Sequence, residues 1–152
     1  MSFEQVTEYL LGLGLKPLTF DQSSATVELA AQAVGCQPCR IAKTMSFLVD
    51  GQAVLIVLAG DTRIDNPKFK ACFHQKAVML PHERVEELTG FPVGGVCPFL
   101  ARADVKVYLD ESLKRFESVY PAAGSGNSAV EVTLFELESA AKAAGWVDIG
   151  KR

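Results

Sequence analysis

The side chain best placed for chemistry in this sequence is Lys43, in the run Arg40-Ile41-Ala42-Lys43-Thr44 directly before a strongly apolar stretch. A lysine at a strand edge can be partly desolvated while facing a cleft, where its ammonium would hold an anion or polarise a carbonyl. The plain alternative is a solvated lysine at a strand start. Cys36-Gln37-Pro38-Cys39 is a C-x-x-C pair. A redox pair of this spacing wants its first thiol acidified at a helix start, whereas this one follows a helical stretch just past Gly35. Zinc would need two more ligands; Cys72 and His74 could be named, but no second C-x-x-C or paired-histidine motif exists. Cys97 as a nucleophile would need His74 or His82 as its base, and between Val96 and Pro98 it also reads as a small apolar filler.

Three loops are unusual. Thr89 to Phe99 (TGFPVGGVCPF) holds three glycines and two prolines and cannot be a regular helix or strand. Gly60-Asp61 and Gly124-Ser125-Gly126-Asn127 are the others. None is a G-x-G-x-x-G turn or a P-loop. Their glycines either let backbone N–H groups approach a ligand or make plain turns.

The elements that must position these residues are legible. Ser2 with Gln5 forms a capping box for a first helix, with Phe3, Val6, Leu10 and Leu13 on one face and Gly14 at its end. Ser23 to Thr26 offers caps for a second helix, with Val27, Leu29, Ala30, Ala33 and Val34 apolar, closed by Gly35. Thr44–Val49 and Ala53–Ala59 flank Asp50-Gly51, a tight-turn pair, and predict a hairpin whose return strand is buried on both faces. Asn66-Pro67 starts a short helix with proline at its first position. Further strands are predicted at Lys76–Leu80, Val105–Leu109, Glu117–Tyr120 and Ala129–Val132, and a helix at His82–Thr89 stopped by Gly90. Thr133 with Glu136 caps a last helix that Gly145 ends, before Trp146–Ile149.

Alternating elements with a hairpin predict an α/β fold: one domain over residues 1–152, with a central mixed, partly antiparallel sheet flanked by helices. The chain has 152 residues, 49% hydrophobic and 22% charged, which suits a packed core. A net charge of −3 argues against a dedicated high-affinity nucleic-acid binder. No apolar run approaches the ~20 residues of a membrane span, and MSFEQVTEYL lacks a signal-peptide layout. A cytoplasmic monomer with no membrane contact and reduced cysteines is expected.

Five stretches in order, ATVELAA, QPCRIAKT, VLIVLAGD, EELTGFPVGGVCPF and VYLDESL, resemble the YbaK/prolyl-tRNA synthetase-associated editing domain family over about residues 20 to 145. The resemblance implies a freestanding aminoacyl-tRNA deacylase. It would hydrolyse the ester of a mischarged tRNA, typically for proline, with no cofactor and no metal. Its partners would be the tRNA acceptor end and, as a further candidate, an aminoacyl-tRNA synthetase. Lys43 falls on the lysine of the family's I-A-K-T motif, and Gly94, Gly95 and Pro98 on its glycine-rich substrate loop. The implied catalytic set is Lys43, Gly94 and Gly95; Thr44, Asp61, Pro98, Phe99, Gly124 and Ser125 would border the substrate. Backbone N–H groups near Gly94-Gly95 would face the ester carbonyl. Some alanine-editing relatives carry a histidine shortly after the Gly-Ser loop. Here Asn127-Ser128-Ala129 follow, which leaves cysteine, alanine and other small amino acids open. A non-catalytic binding module and a C-x-x-C thiol protein are the alternatives; the latter requires an abnormally acidic cysteine.

Overall fold

The computed structural model describes residues 2–152. In chain order the elements are α1 (Phe3–Gly12), β1 (Leu18–Thr19), α2 (Val27–Val34), β2 (Ile41–Val49), β3 (Gln52–Ala59), β4 (Arg63–Ile64) and α3 (Asn66–Phe73). Then come α4 (Val85–Thr89), β5 (Lys106–Asp110), β6 (Ser118–Pro121), β7 (Ser128–Ala129), β8 (Val132–Thr133), α5 (Leu134–Ala141), β9 (Gly145–Val147) and β10 (Gly150–Lys151). The predicted hairpin is the centre of the fold. Asp50 and Gly51 both take positive φ, 52° and 78°, as a primed turn requires, and β2 pairs with β3 from Ala42↔Ala59 to Val49↔Gln52.

Around it lies a six-stranded mixed sheet in the order β8-β6-β2-β3-β5-β9. The β2–β3 and β6–β8 pairs are antiparallel, while β2–β6, β3–β5 and β5–β9 are parallel. β3 alternates between two cores, as a strand covered on both faces must. Leu55 and Val57 pack with Val6 and Leu10 of α1 and Leu137 of α5. Ile56 and Leu58 pack with Phe69 of α3 and Ile149. A third cluster seats α2 on the start of β2 through Ala30, Ala31 and Ile41. Both capping boxes form, at Ser2/Gln5 and Thr133/Glu136.

Several boundaries differ from expectation. β2 begins at Ile41, so Lys43 is its third residue and not a residue before it. Lys76–Leu80 is no regular strand: it lies along β2 through one bridge, Phe47↔Met79, and bonds from Leu48 N to Val78 O and Leu80 N to Ser46 O. The predicted strand 129–132 is split, because β7 pairs with β1 and β8 with β6. α5 ends at Lys142 in the left-handed region, and Gly145 starts β9 instead. The cap before Pro67 is Asp65, whose side chain accepts from Lys68 N. Leu13, the C-cap beyond the last residue of α1, is 51% exposed, and Leu29 of α2 is 38% exposed.

Candidate functional site

β6 holds the outer edge of β2 only at Ile41 and Ala42, and the Met79 bridge holds it at Phe47. Between these attachments, at Lys43–Met45, no strand of the described residues lies beside that edge, and a cleft of about 230 Å³ opens there. Lys43 and Thr44 form its floor; Ala25, Thr26 and Val27 at the start of α2, Gly94 and Val96 of the glycine-rich loop, and Tyr120, Ala122 and Ser128 form its walls.

Lys43 is half-buried, and no hydrogen bond or ion pair reaches its ammonium among the described residues. Burial pushes its pKa below the ordinary lysine value, opposed by the fields of Asp61 and Glu28. Beside it, Thr44 Oγ1 is buried with no hydrogen-bond partner among the described residues. A buried hydroxyl without a partner costs roughly 1–3 kcal/mol.

The glycine-rich loop turns on its backbone. Gly95 N donates to Pro92 O at 3.0 Å, closing a turn in which Gly94 has φ +84°. A second central residue at positive φ is the signature of a type II turn and favours glycine. Gly95 is chosen for room: a Cβ there would lie 3.1 Å from Pro92 Cγ and 3.1 Å from Ser125 Cα. The N–H of Gly95 is therefore already used within the turn. The N–H groups of Gly94 and Val96 have no partner among the described residues.

The remaining expected residues are distributed around this centre. Gly124 and Ser125 brace the wall rather than line it. Ser125 Oγ lies 2.8 Å from Ser128 Oγ and 2.9 Å from Asn127 Oδ1, while Ser24 N donates to Gly126 O at 2.7 Å. Pro98 and Phe99 are buried beneath the loop, Phe99 in the main core. The Asp61 carboxylate is held by Arg115, through Nη1 at 3.0 Å and Nη2 at 2.5 Å, and does not line the cleft. Arg115 holds the Asp61 pKa below the usual carboxylate range. Gly60 is required by crowding, since a Cβ would sit 2.1 Å from Pro38 O.

The thiols recede. Cys97 is fully buried, and desolvation pushes its pKa up to about 12. Burial also raises the Cys36 thiol, the reverse of what a redox pair needs. Neither histidine lines the cleft, and among the described residues no three His, Cys, Asp or Glu gather as a metal site.

Sequence reasoning missed Tyr120 and the segment Ser24–Val27. Tyr120 is set opposite Ile41 by parallel pairing and lies under the Arg40 guanidinium, 5.2 Å from its ring centre. The run Ser23-Ser24-Ala25-Thr26 read only as helix caps. Its small residues also let it approach Gly94, where a Cβ would come within 3.3 Å of Ala25 Cβ.

The family model described as an aminoacyl-tRNA editing domain matches residues 21–140. A relative from Bacillus subtilis, the uncharacterized protein YwhH, is 51% identical over 133 residues, covering 87% of this chain and 85% of its own. The proline–tRNA ligase of Lysinibacillus sphaericus is 33% identical over 100 residues, but the match spans only 17% of that enzyme. The crystal structure of a proposed trans-editing enzyme for prolyl tRNA synthetase superposes with a TM-score of 0.86 at 30% identity, covering 99% of this chain and 97% of that one. No helix among the described residues is long and apolar enough to cross a membrane.

Proposed function

The chain belongs to the aminoacyl-tRNA editing domain family, and from that premise we propose that it is a trans-acting deacylase. It hydrolyses the ester between a small, wrongly attached amino acid and the 3′ end of a tRNA, with tRNA for proline as the first candidate. The observation that carries this reading is the coincidence, in one cleft, of an unpaired Lys43, an unpartnered Thr44 hydroxyl and the free N–H groups of Gly94 and Val96.

An aminoacyl ester is already activated, so its hydrolysis depends on positioning and on stabilising charge that develops on the carbonyl oxygen. Water adds to the carbonyl carbon, the tetrahedral oxyanion collapses, and the C–O bond to the ribose breaks. The proton from the attacking water ends on the ribose hydroxyl, leaving a free amino acid and an uncharged 3′ end. In this scheme the Gly94 and Val96 N–H groups receive the oxyanion, and Lys43 holds the terminal nucleotide or the ester in register. Thr44 Oγ1 finds its partner on the substrate. A ribose hydroxyl, or a substrate thiol, activates the water, which accounts for a cleft lined by no histidine. The apolar wall is built from Ala25, Ala30, Ala122 and Ala129 with Val27, Ile41 and Val96. That surface suits a small side chain, although one methylene is worth only ~1–3 kcal/mol of discrimination.

The test is deacylation of a panel of mischarged tRNAs, including alanyl- and cysteinyl-tRNA for proline, by wild type and Lys43→Ala. Wild type should release the small amino acids, and Lys43→Ala should be slower by about 100-fold, the scale of one lost charge-stabilising contact. Retained tRNA binding without hydrolysis across the panel would make the chain a binding module instead.

A further inference from the structure

The Lys43 cleft does not end at Lys43. On the other face of β2 a second hollow, of about 320 Å³, is lined by Lys43, Phe47, Arg63, Asn66 and Met79. It shares Asn66 and Ala77 with a third, of about 580 Å³, that adds Lys70 and Lys76. Lys43 lines both the candidate ester site and the second hollow, so the three hollows adjoin in series through shared lining residues, a groove from Lys43 over β4 to α3.

Its charge is unusual for a chain of net charge −3. Arg63, Lys70 and Lys76 are exposed and take part in no ion pair among the described residues. The nearby basic residues that do have partners, Lys68 and Arg115, are tied to Asp148 and Asp61. Arg63 also stands directly opposite Lys151 in the β4–β10 pair. Like charges facing each other across strands are destabilising, and an anionic ligand relieves them. Between the cations the groove offers Met79, a large apolar side chain left 56% exposed, and the amide of Asn66. Cations that follow a backbone, interleaved with apolar surface against which bases lie, are what single-stranded nucleic acid requires.

We infer that this groove is the track of the single-stranded 3′ end of the RNA, carrying the nucleotides that precede the terminal one held at Lys43. The inference rests on the proposed function and extends it from the terminal ester to the strand behind it. A contact with three or four phosphates is compatible with the chain's acidic balance. It predicts modest affinity, with a salt slope of about −2 to −3 at roughly −0.7 per phosphate.

The probe is a fluorescein-labelled RNA tetranucleotide ending in CCA-3′, with adenosine monophosphate as the ligand for the terminal subsite alone and a poly-glutamate peptide of equal charge as competitor. Arg63→Gln/Lys76→Gln should weaken tetranucleotide binding roughly tenfold at low salt and flatten the slope by about 1.4, with adenosine monophosphate binding unchanged. The same variant should raise KM for a mischarged tRNA while leaving hydrolysis of an aminoacyl-adenosine as in wild type. Met79→Ala should weaken the tetranucleotide without changing the slope. Wild-type binding of the tetranucleotide at the variant's affinity, or equal competition by poly-glutamate, overturns the groove. The deacylase reading fails separately, if wild type hydrolyses neither mischarged tRNA nor aminoacyl-adenosine; the oligonucleotide arm then still decides the groove.

Discussion

Two polar regions sit at the same end of the sheet, where β2 begins and where β3 and β5 end, and they are built on opposite terms. In the corner after β5 the carboxylates are answered. Asp110 is 1% exposed and accepts from Ser112 N at 2.9 Å and Ile149 N at 2.8 Å, and Asp61 is forked by Arg115. In the cleft the polar groups find no partner among the described residues: Lys43 has no counterion, Thr44 Oγ1 no donor or acceptor, and the Gly94 and Val96 N–H groups no acceptor. The corner is what a fold does with buried polar atoms when they serve only stability. In the cleft, water solvates the exposed groups, and the buried Thr44 hydroxyl alone bears the cost of an unmade hydrogen bond.

Substitutions that exchange stability for activity test this contrast. The largest effect should come from Asp110→Ala, which strands the N–H groups of Ser112 and Ile149. A loss of about 2–4 kcal/mol is expected, read as a lowered denaturation midpoint, with deacylation retained wherever the protein stays folded. Lys43→Ala should do the reverse, with an unchanged or raised midpoint alongside its loss of turnover. Equal destabilisation by both would erase the distinction between the two regions.

Gly94→Ala comes next. Its φ of +84° and the 3.3 Å approach to Ala25 Cβ should together cost roughly 1–2 kcal/mol and lower kcat by about tenfold, as the turn carrying the free N–H groups shifts. Thr44→Val keeps the shape and removes the orphan hydroxyl. Stability should hold or rise by up to about 1 kcal/mol while kcat/KM falls by several-fold, and a variant of lower stability would show that Thr44 Oγ1 is satisfied in solution.

The smallest effects are in pH dependence. Lys43 is held below the ordinary lysine value by burial. Between its folded and unfolded values the unfolded chain binds the extra proton, so stability rises with pH there. Enzyme-catalysed deacylation, which needs the cation, falls over the same window, and Lys43→Met should abolish both trends. Asp61 is held low by Arg115. Its contribution is complete above the unfolded carboxylate value and is lost as pH falls through the folded one. Asp61→Asn should flatten that acid limb by under about 1 kcal/mol, because the pair is largely exposed.

Local chemistry was legible in the residues themselves. Asp50-Gly51, the Ser2/Gln5 and Thr133/Glu136 boxes and the αL glycines Gly35 and Gly90 report interactions spanning a few residues, so their partners lie within the same short stretch. The doubly buried β3 was readable because a strand covered on both sides has no polar alternation. Motif order also pointed to Lys43 and to the loop of Gly94, and both lie at the cleft.

Tertiary closure decided the rest. The sequence could not show that Gly95 N would be taken by Pro92 O, or that Phe99 would turn into the core while Val96 faced the cleft. It could not bring Ser24 against Gly126, more than a hundred positions away, or Tyr120 beside Ile41. It showed an acidic chain and concealed a basic groove, because net charge sums over the whole surface while the fold selects which lysines and arginines share a face and which are neutralised by neighbours. Hydrogen-bond geometry and side-chain period act over one turn or one strand and are written in adjacent residues. Which faces meet depends on how distant segments share one core, and that is settled only when the chain closes on itself.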